Sequence, residues 1–149
     1  MSDEILELAV DKFLLRFPAD LFYSDAGIWA RFEGGKVRIG LSDFTQLRNG
    51  DVTFVEMRAE GTEVQAGDEI GVIETIKVNL SVPSPVGGTV VEVNPALESS
   101  PELVNQDAYG KGWLVVIEVA DIDTSRRGLK SAADHLHAVR SQAEAEIIR

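Results

Sequence analysis

Two short apolar runs flank one lysine, Lys77, and each reads as a β-strand. Upstream lies Asp68-Glu69-Ile70-Gly71-Val72-Ile73-Glu74, bounded by Gly67; downstream, Val78-Asn79-Leu80-Ser81-Val82 runs through Pro83 and Pro85 to Gly87-Gly88. Runs placed symmetrically about a turn predict two similar β halves joined as a pseudo-two-fold sandwich rather than one open sheet. The turn itself, Thr75-Ile76-Lys77-Val78, then holds Lys77 out on a hairpin tip, the geometry of a swinging-arm carrier.

The turn residues are not those that turn chemistry selects. A two-residue hairpin normally takes Asn-Gly or Gly-X, whereas this one offers the β-branched Thr75, Ile76 and Val78. An apolar pair beside an exposed lysine is costly in water and makes sense if a modifying enzyme or client protein reads it. The competing reading is an ordinary surface lysine on a strand edge.

The surrounding residues resemble the glycine cleavage H-protein family, within the wider group of lipoyl and biotinyl carrier domains. The resemblance rests on Val64-Gln65-Ala66-Gly67-Asp68, on Glu74 through Lys77, and on Ser84-Pro85-Val86-Gly87-Gly88-Thr89-Val90-Val91-Glu92-Val93-Asn94. It extends through Ala96 to Asn105, Tyr109-Gly110-Lys111-Gly112-Trp113-Leu114 and Gly40-Leu41-Ser42-Asp43-Phe44, and so covers most of the chain. It implies a mainly β fold, the flattened β-barrel sandwich or hammerhead of lipoyl and biotinyl domains, with a C-terminal α-helix. It also implies lipoate in amide linkage to Lys77 as cofactor, and a non-catalytic carrier. Around that lysine, Glu74, Ile76, Val78, Gly67 and Gly88 are expected to present the arm. For the glycines the reason is a positive φ or a close backbone approach; for Glu74 it is its place on the strand leading into the tip. Trp113 and Tyr109 read as core and loop anchors with polar handles, and Asn105 as a loop residue bonded to backbone.

A lysine suits this role because its flexible stem ends in an amine that can be acylated, which removes the charge and leaves a dithiolane on a long tether. Tethering raises the effective concentration of the dithiol at successive partner sites. The absence of cysteine fits, since a protein thiol could attack the dithiolane, and it excludes a disulfide scaffold, a thiolate metal site and a cysteine nucleophile. His135 and His137, two positions apart on a predicted helix, point to different faces and read as solvated rather than as a metal pair; no metal site is expected.

At 149 residues, 44% apolar and 26% charged, the chain can bury one proper core. No apolar run approaches membrane-spanning length, and the acidic start Met1-Ser2-Asp3-Glu4 lacks the basic segment of a signal or transit peptide, so a cytoplasmic protein without a membrane partner is expected. A net charge of −11 would repel nucleic acid and draw a basic partner.

Residues 1–17 form an N-terminal arm whose period fits helix, strand or packing arm alike; 18–121 form the carrier domain and 122–149 a C-terminal helix. Strands are predicted at Ile28–Phe32, Lys36–Leu41, Asp51–Met57, within Glu63–Val93 and at Trp113–Val119, and the family resemblance implies a helical segment over Asp43–Arg48, after Gly40-Leu41-Ser42. Leu129, Ala132, Leu136, Val139, Ala143 and Ile147 recur at helical spacing, with Thr124-Ser125 as N-cap and Arg126-Arg127 solvated.

The chain also departs from the glycine-cleavage pattern. Members of that family resemble Ser-Val-Lys-Ala followed by a serine and an aspartate; here Thr75-Ile76-Lys77-Val78 is followed by Asn79-Leu80-Ser81. The His-Glu-Trp triplet reads Gly27-Ile28-Trp29, and Ala108 replaces a proline. These departures resemble lipoate-binding proteins of a cytoplasmic sulfur-oxidation system related to heterodisulfide reductase, which is the expected role. A glycine cleavage carrier of an aminomethyl group is the alternative, and a biotinyl carrier, which would place methionines beside the lysine, the third. An unmodified interaction domain would leave the Ile76-Lys77-Val78 tip without purpose. Expected partners are a lipoate-attaching ligase or transferase and either the heterodisulfide-reductase-like complex or the glycine cleavage enzymes.

Overall fold

The computed structural model describes residues 4–147. Alternation of apolar and polar residues builds the sheets. Strands β3 (Phe22–Tyr23), β4 (Ile28–Glu33), β5 (Lys36–Leu41), β7 (Glu63–Val64), β10 (Gly88–Val93) and β11 (Val115–Glu118) form a six-stranded sheet ordered β3-β4-β5-β11-β10-β7. Strands β6 (Val52–Met57), β8 (Glu69–Thr75) and β9 (Asn79–Pro83) form a three-stranded sheet ordered β6-β8-β9. The predicted symmetry about Lys77 takes a definite form: β8 pairs with β9 in the small sheet, while β7 and β10 pair through Gly88 with Val64 in the large one. Each half thus sends one strand to each sheet.

The main core fills the space between the sheets. Ile28, Ala30, Val37, Ile39, Val115 and Ile117 enter it from the large sheet, and Val52, Ile70, Ile73 and Val82 from the small one. Truncating a side chain such as Ile73, which is fully buried, would cost about 2–5 kcal/mol. Alternation along β4 turns Trp29 the other way, into a second core with Tyr23, Phe44 of helix α1 (Asp43–Asn49) and Val139 and Ala143 of helix α4 (Ala132–Ile147).

The ambiguous N-terminal period resolves as a β-hairpin. Strands β1 (Ile5–Val10) and β2 (Phe13–Pro18) pair alone, turning at Asp11, whose φ is 53°. Leu8, Leu15 and Phe17 are buried against the second core, which decides the register.

Expectations near the C-terminus are corrected. The segment is two helices, not one: α3 (Ile122–Arg127) is capped by Asp121, whose carboxylate accepts from Thr124 N, so the cap lies before Thr124-Ser125, and Leu129 falls between α3 and α4 against the main core. A short helix, α2 (Leu103–Gln106), and a 3₁₀ turn (Pro95–Glu98) precede β11. His135 is not solvated: it is 4% exposed and stacks on Tyr23 with ring centroids 4.6 Å apart, an apolar burial that its spacing from His137 could not reveal. His137 is exposed, as expected.

Candidate functional site

Lys77 stands at the tip of the β8–β9 hairpin, where Glu74 opposes Asn79 in register. Thr75 supplies what the missing turn glycine would. Its backbone N–H donates to Val78 O at 2.8 Å, and its Oγ1 accepts from Lys77 N at 3.2 Å and Val78 N at 3.1 Å. A threonine hydroxyl that closes the turn through the side chain explains how β-branched residues are tolerated there. Ile76 N donates to Asp51 O at 3.1 Å, tying the tip to the strand before it. Ile76 is 68% and Val78 45% exposed, so the tip is as apolar and open as the sequence implied. Lys77 is exposed, and among the described residues its ammonium enters no ion pair.

The other predicted presentation residues divide into two groups. Glu74 is half-buried beside the tip, its carbonyl accepting from Thr53 Oγ1. Gly67 and Gly88 lie at the far end of the hairpin and shape its base. Gly67 has φ +94° at the corner entering β8, where its N–H donates to Ser84 O. Gly88 has ordinary φ but packs so closely on β11 that a Cβ would stand 2.2 Å from Glu118 O. Of the two reasons expected for these glycines, each therefore shows one.

Two residues that sequence reasoning did not place at the site prove central. Gly50 ends α1 with φ 90° and ψ −174°, and the stem of Lys77 lies over it; a Cβ there would stand 3.4 Å from Cγ, Cδ and Cε. Asn105 on α2 holds this loop from below. Its Oδ1 accepts from Val52 N at 2.8 Å, and its Nδ2 donates to Gly50 O at 3.1 Å and Gln46 Oε1 at 3.0 Å. Asn49-Gly50 is a visible turn signal, but only the tertiary fold brings it under Lys77. Tyr109 anchors further back, accepting from Asp43 N and donating to Arg16 O, and burial raises its hydroxyl pKa. Trp113 lies beneath the Arg38 guanidinium, 4.7 Å from its ring centroid.

A cavity of about 310 Å³ opens beside this assembly, lined among others by Asn49, Leu80, Arg48, Thr45, Gln142 and His135. Arg48 pairs with Glu146 at 2.8 Å. Across the cavity Lys130 pairs with Asp25 at 2.9 Å and holds that carboxyl below its ordinary range. Burial pushes His135 down to about 4, with Lys130 acting in the same direction, so the imidazole is neutral near pH 7. Among the described residues no cluster of His, Asp or Glu could hold a metal ion, and no helix is long and apolar enough to cross a membrane.

An exposed, unpaired amine on a braced tip can be acylated without loss of any fold contact. The lysine therefore fits amide-linked lipoate.

Comparison with known proteins identifies the family. The family model described as Glycine cleavage H-protein matches residues 21–142. The chain is 43% identical over 122 residues to the glycine cleavage system H protein of Synechocystis sp., covering 81% of this chain and 92% of that protein. It is 49% identical over 105 residues to that of Xanthomonas campestris pv. campestris, covering 70% and 80%. A crystal structure of a glycine cleavage system H protein from Mycobacterium marinum superposes with a TM-score of 0.74 at 28% identity, covering 81% of this chain and 97% of that one. These matches favour the glycine cleavage alternative over the expected sulfur-oxidation role. The hairpin β1–β2 lies outside the matched residues. The chain belongs to the glycine cleavage H-protein family, whose members are non-catalytic lipoyl carriers.

Proposed function

We propose that Lys77 is the lipoylated residue and that this protein is a cytoplasmic swinging-arm carrier of the glycine cleavage system. The observation that carries the assignment is the tip itself. Lys77 is exposed, its turn is closed by Thr75 and its stem is supported on Gly50. When bound, lipoate supplies a dithiolane that can open to take a group or two electrons. The chain's own residues hold and orient the attachment point. Asn105 fixes the loop beneath the stem, Asp51 O ties down Ile76, and the apolar neighbours leave the amine accessible. Partners follow from this role: an enzyme that attaches lipoate, and the glycine cleavage enzymes that the arm visits in turn.

A second reading keeps the carrier and changes the cargo. Leu80 lines the cavity beside the tip, and the cavity carboxylate Asp25 is already paired with Lys130. An apolar residue in place of a polar one suits a sulfur-oxidation role with a heterodisulfide-reductase-like partner better than a cationic one-carbon amine.

Full-length protein made in cells supplied with lipoate should carry a lipoyl adduct that peptide mapping places on Lys77. Lys77→Arg should keep the fold and lose the adduct, because a guanidinium is not acylated by this route. A biotin adduct, or none, would sink the assignment. Loaded chain that supports glycine decarboxylation with the glycine cleavage enzymes selects the first cargo; loaded chain inert in that assay selects the second.

A further inference from the structure

Beside the tip, along the outer side of the edge strand β6, runs a groove of about 320 Å³ lined by Phe54, Val55, Met57, Val93, Pro95 and Leu97. Its charged lining is acidic, from Glu56 and Glu98, and among the described residues no lysine or arginine lines it. Phe54 is 48% exposed, a large ring left in water on an edge strand, where exposed apolar surface invites association. Its backbone opposes Glu74 in register, and Val52 opposes Thr75, so the groove begins where the tip ends. Phe54, Ile76 and Val78 are all exposed, and Ile76 and Val78 flank Lys77 in the chain.

We propose that this groove docks the enzyme that attaches lipoate to Lys77, through a surface that places an apolar side chain against Phe54 and cationic side chains against Glu56 and Glu98. The inference rests on Lys77 as the attachment site. Reach decides among the enzymes that meet this lysine. The step is amide formation: the deprotonated Nζ attacks the carbonyl of a lipoate activated at the expense of ATP, the C–N bond forms and the activating group leaves. Lysine has only a four-carbon stem, so the acylating enzyme must come within bonding distance of the tip and cover its surroundings. Enzymes that later use the loaded arm meet its far end and need not. The groove's own charge, on a chain of net charge −11, selects a cationic counterpart.

The test uses the full unloaded chain as the varied substrate of a lipoate-attaching ligase with lipoate and ATP, loading being followed by intact mass. Phe54→Ser should raise KM at least about fivefold with kcat unchanged, as expected for truncating a central apolar anchor. Glu56→Lys combined with Glu98→Lys should raise KM similarly and flatten its dependence on ionic strength. Thermal unfolding of both variants, whose changed side chains are exposed, checks the fold. KM within twofold of the wild type in both variants overturns the docking surface, as does a concentration-dependent dimer of the chain that Phe54→Ser abolishes. Failure of the wild-type chain to load at Lys77 overturns the carrier assignment instead.

Discussion

Gly50 supports Lys77: the lysine stem lies across the glycine, where an added Cβ would stand at van der Waals contact, 3.4 Å from Cγ, Cδ and Cε. With φ 90° and ψ −174°, the position lies in backbone space that essentially only glycine occupies. Gly50→Val should therefore cost about 1–3 kcal/mol through strain alone, read by chemical denaturation, and should also slow lipoate attachment by displacing the stem. Gly35 is the control: a Cβ there meets nothing within 4 Å and its φ is not positive, so Gly35→Ala should leave both readouts unchanged. Equal effects at the two positions would remove Gly50 from the site.

Asn105 makes its hydrogen bonds with both ends of its amide, and substitution can separate them. Asn105→Leu removes the acceptor for Val52 N and the donor to Gly50 O and Gln46 Oε1. Leaving such part-buried groups unpaired should cost about 1–3 kcal/mol, with faster hydrogen exchange at the Val52 amide. Asn105→Asp keeps the acceptor and loses the donor, so exchange at Val52 should stay slow while stability falls part of the way. Fast exchange in the aspartate variant would refute this division of roles.

How far the sequence could be read depended on the range of the interactions involved. The hairpin and the apolar tip follow from local period and turn signals, whereas the helix at Asp43–Asn49 was legible only through the family resemblance of the Gly40-Leu41-Ser42 segment before it. Thr75 was visible but its job was not, because a threonine in a turn shows its use only when its hydroxyl is seen accepting from Lys77 and Val78 N–H. Gly50 and Asn105 were illegible as site residues because nothing local links them to Lys77; contact across the fold does. The N-terminal arm could not be assigned because Leu6, Leu8, Phe13, Leu14 and Phe17 fit more than one period until the second core selects which face is buried. The burial of His135 is illegible for the same reason, since spacing separates it from His137 on the helix but does not show that its own face packs against Tyr23 and Phe17.

That burial gives His135 a measurable signature. Its Nε2 is buried without a hydrogen-bond partner among the described residues, and desolvation, reinforced by Lys130 and opposed by Asp25, lowers its pKa from 6.5 to about 4. The unfolded chain therefore takes up this proton near pH 6.5 and the folded chain only near pH 4. Between those values the unfolded state binds more protons, so stability falls as pH falls through the window, by up to about 3 kcal/mol, and is fully present above it. His135→Phe should keep the ring stacked on Tyr23, remove the unpaired nitrogen and flatten the pH dependence in that window. His137→Phe, on an exposed position of the same helix, should leave the dependence intact. Denaturant titrations at pH 7, 5.5 and 4.5 would decide it: an unchanged slope in His135→Phe means that other groups carry the acid sensitivity.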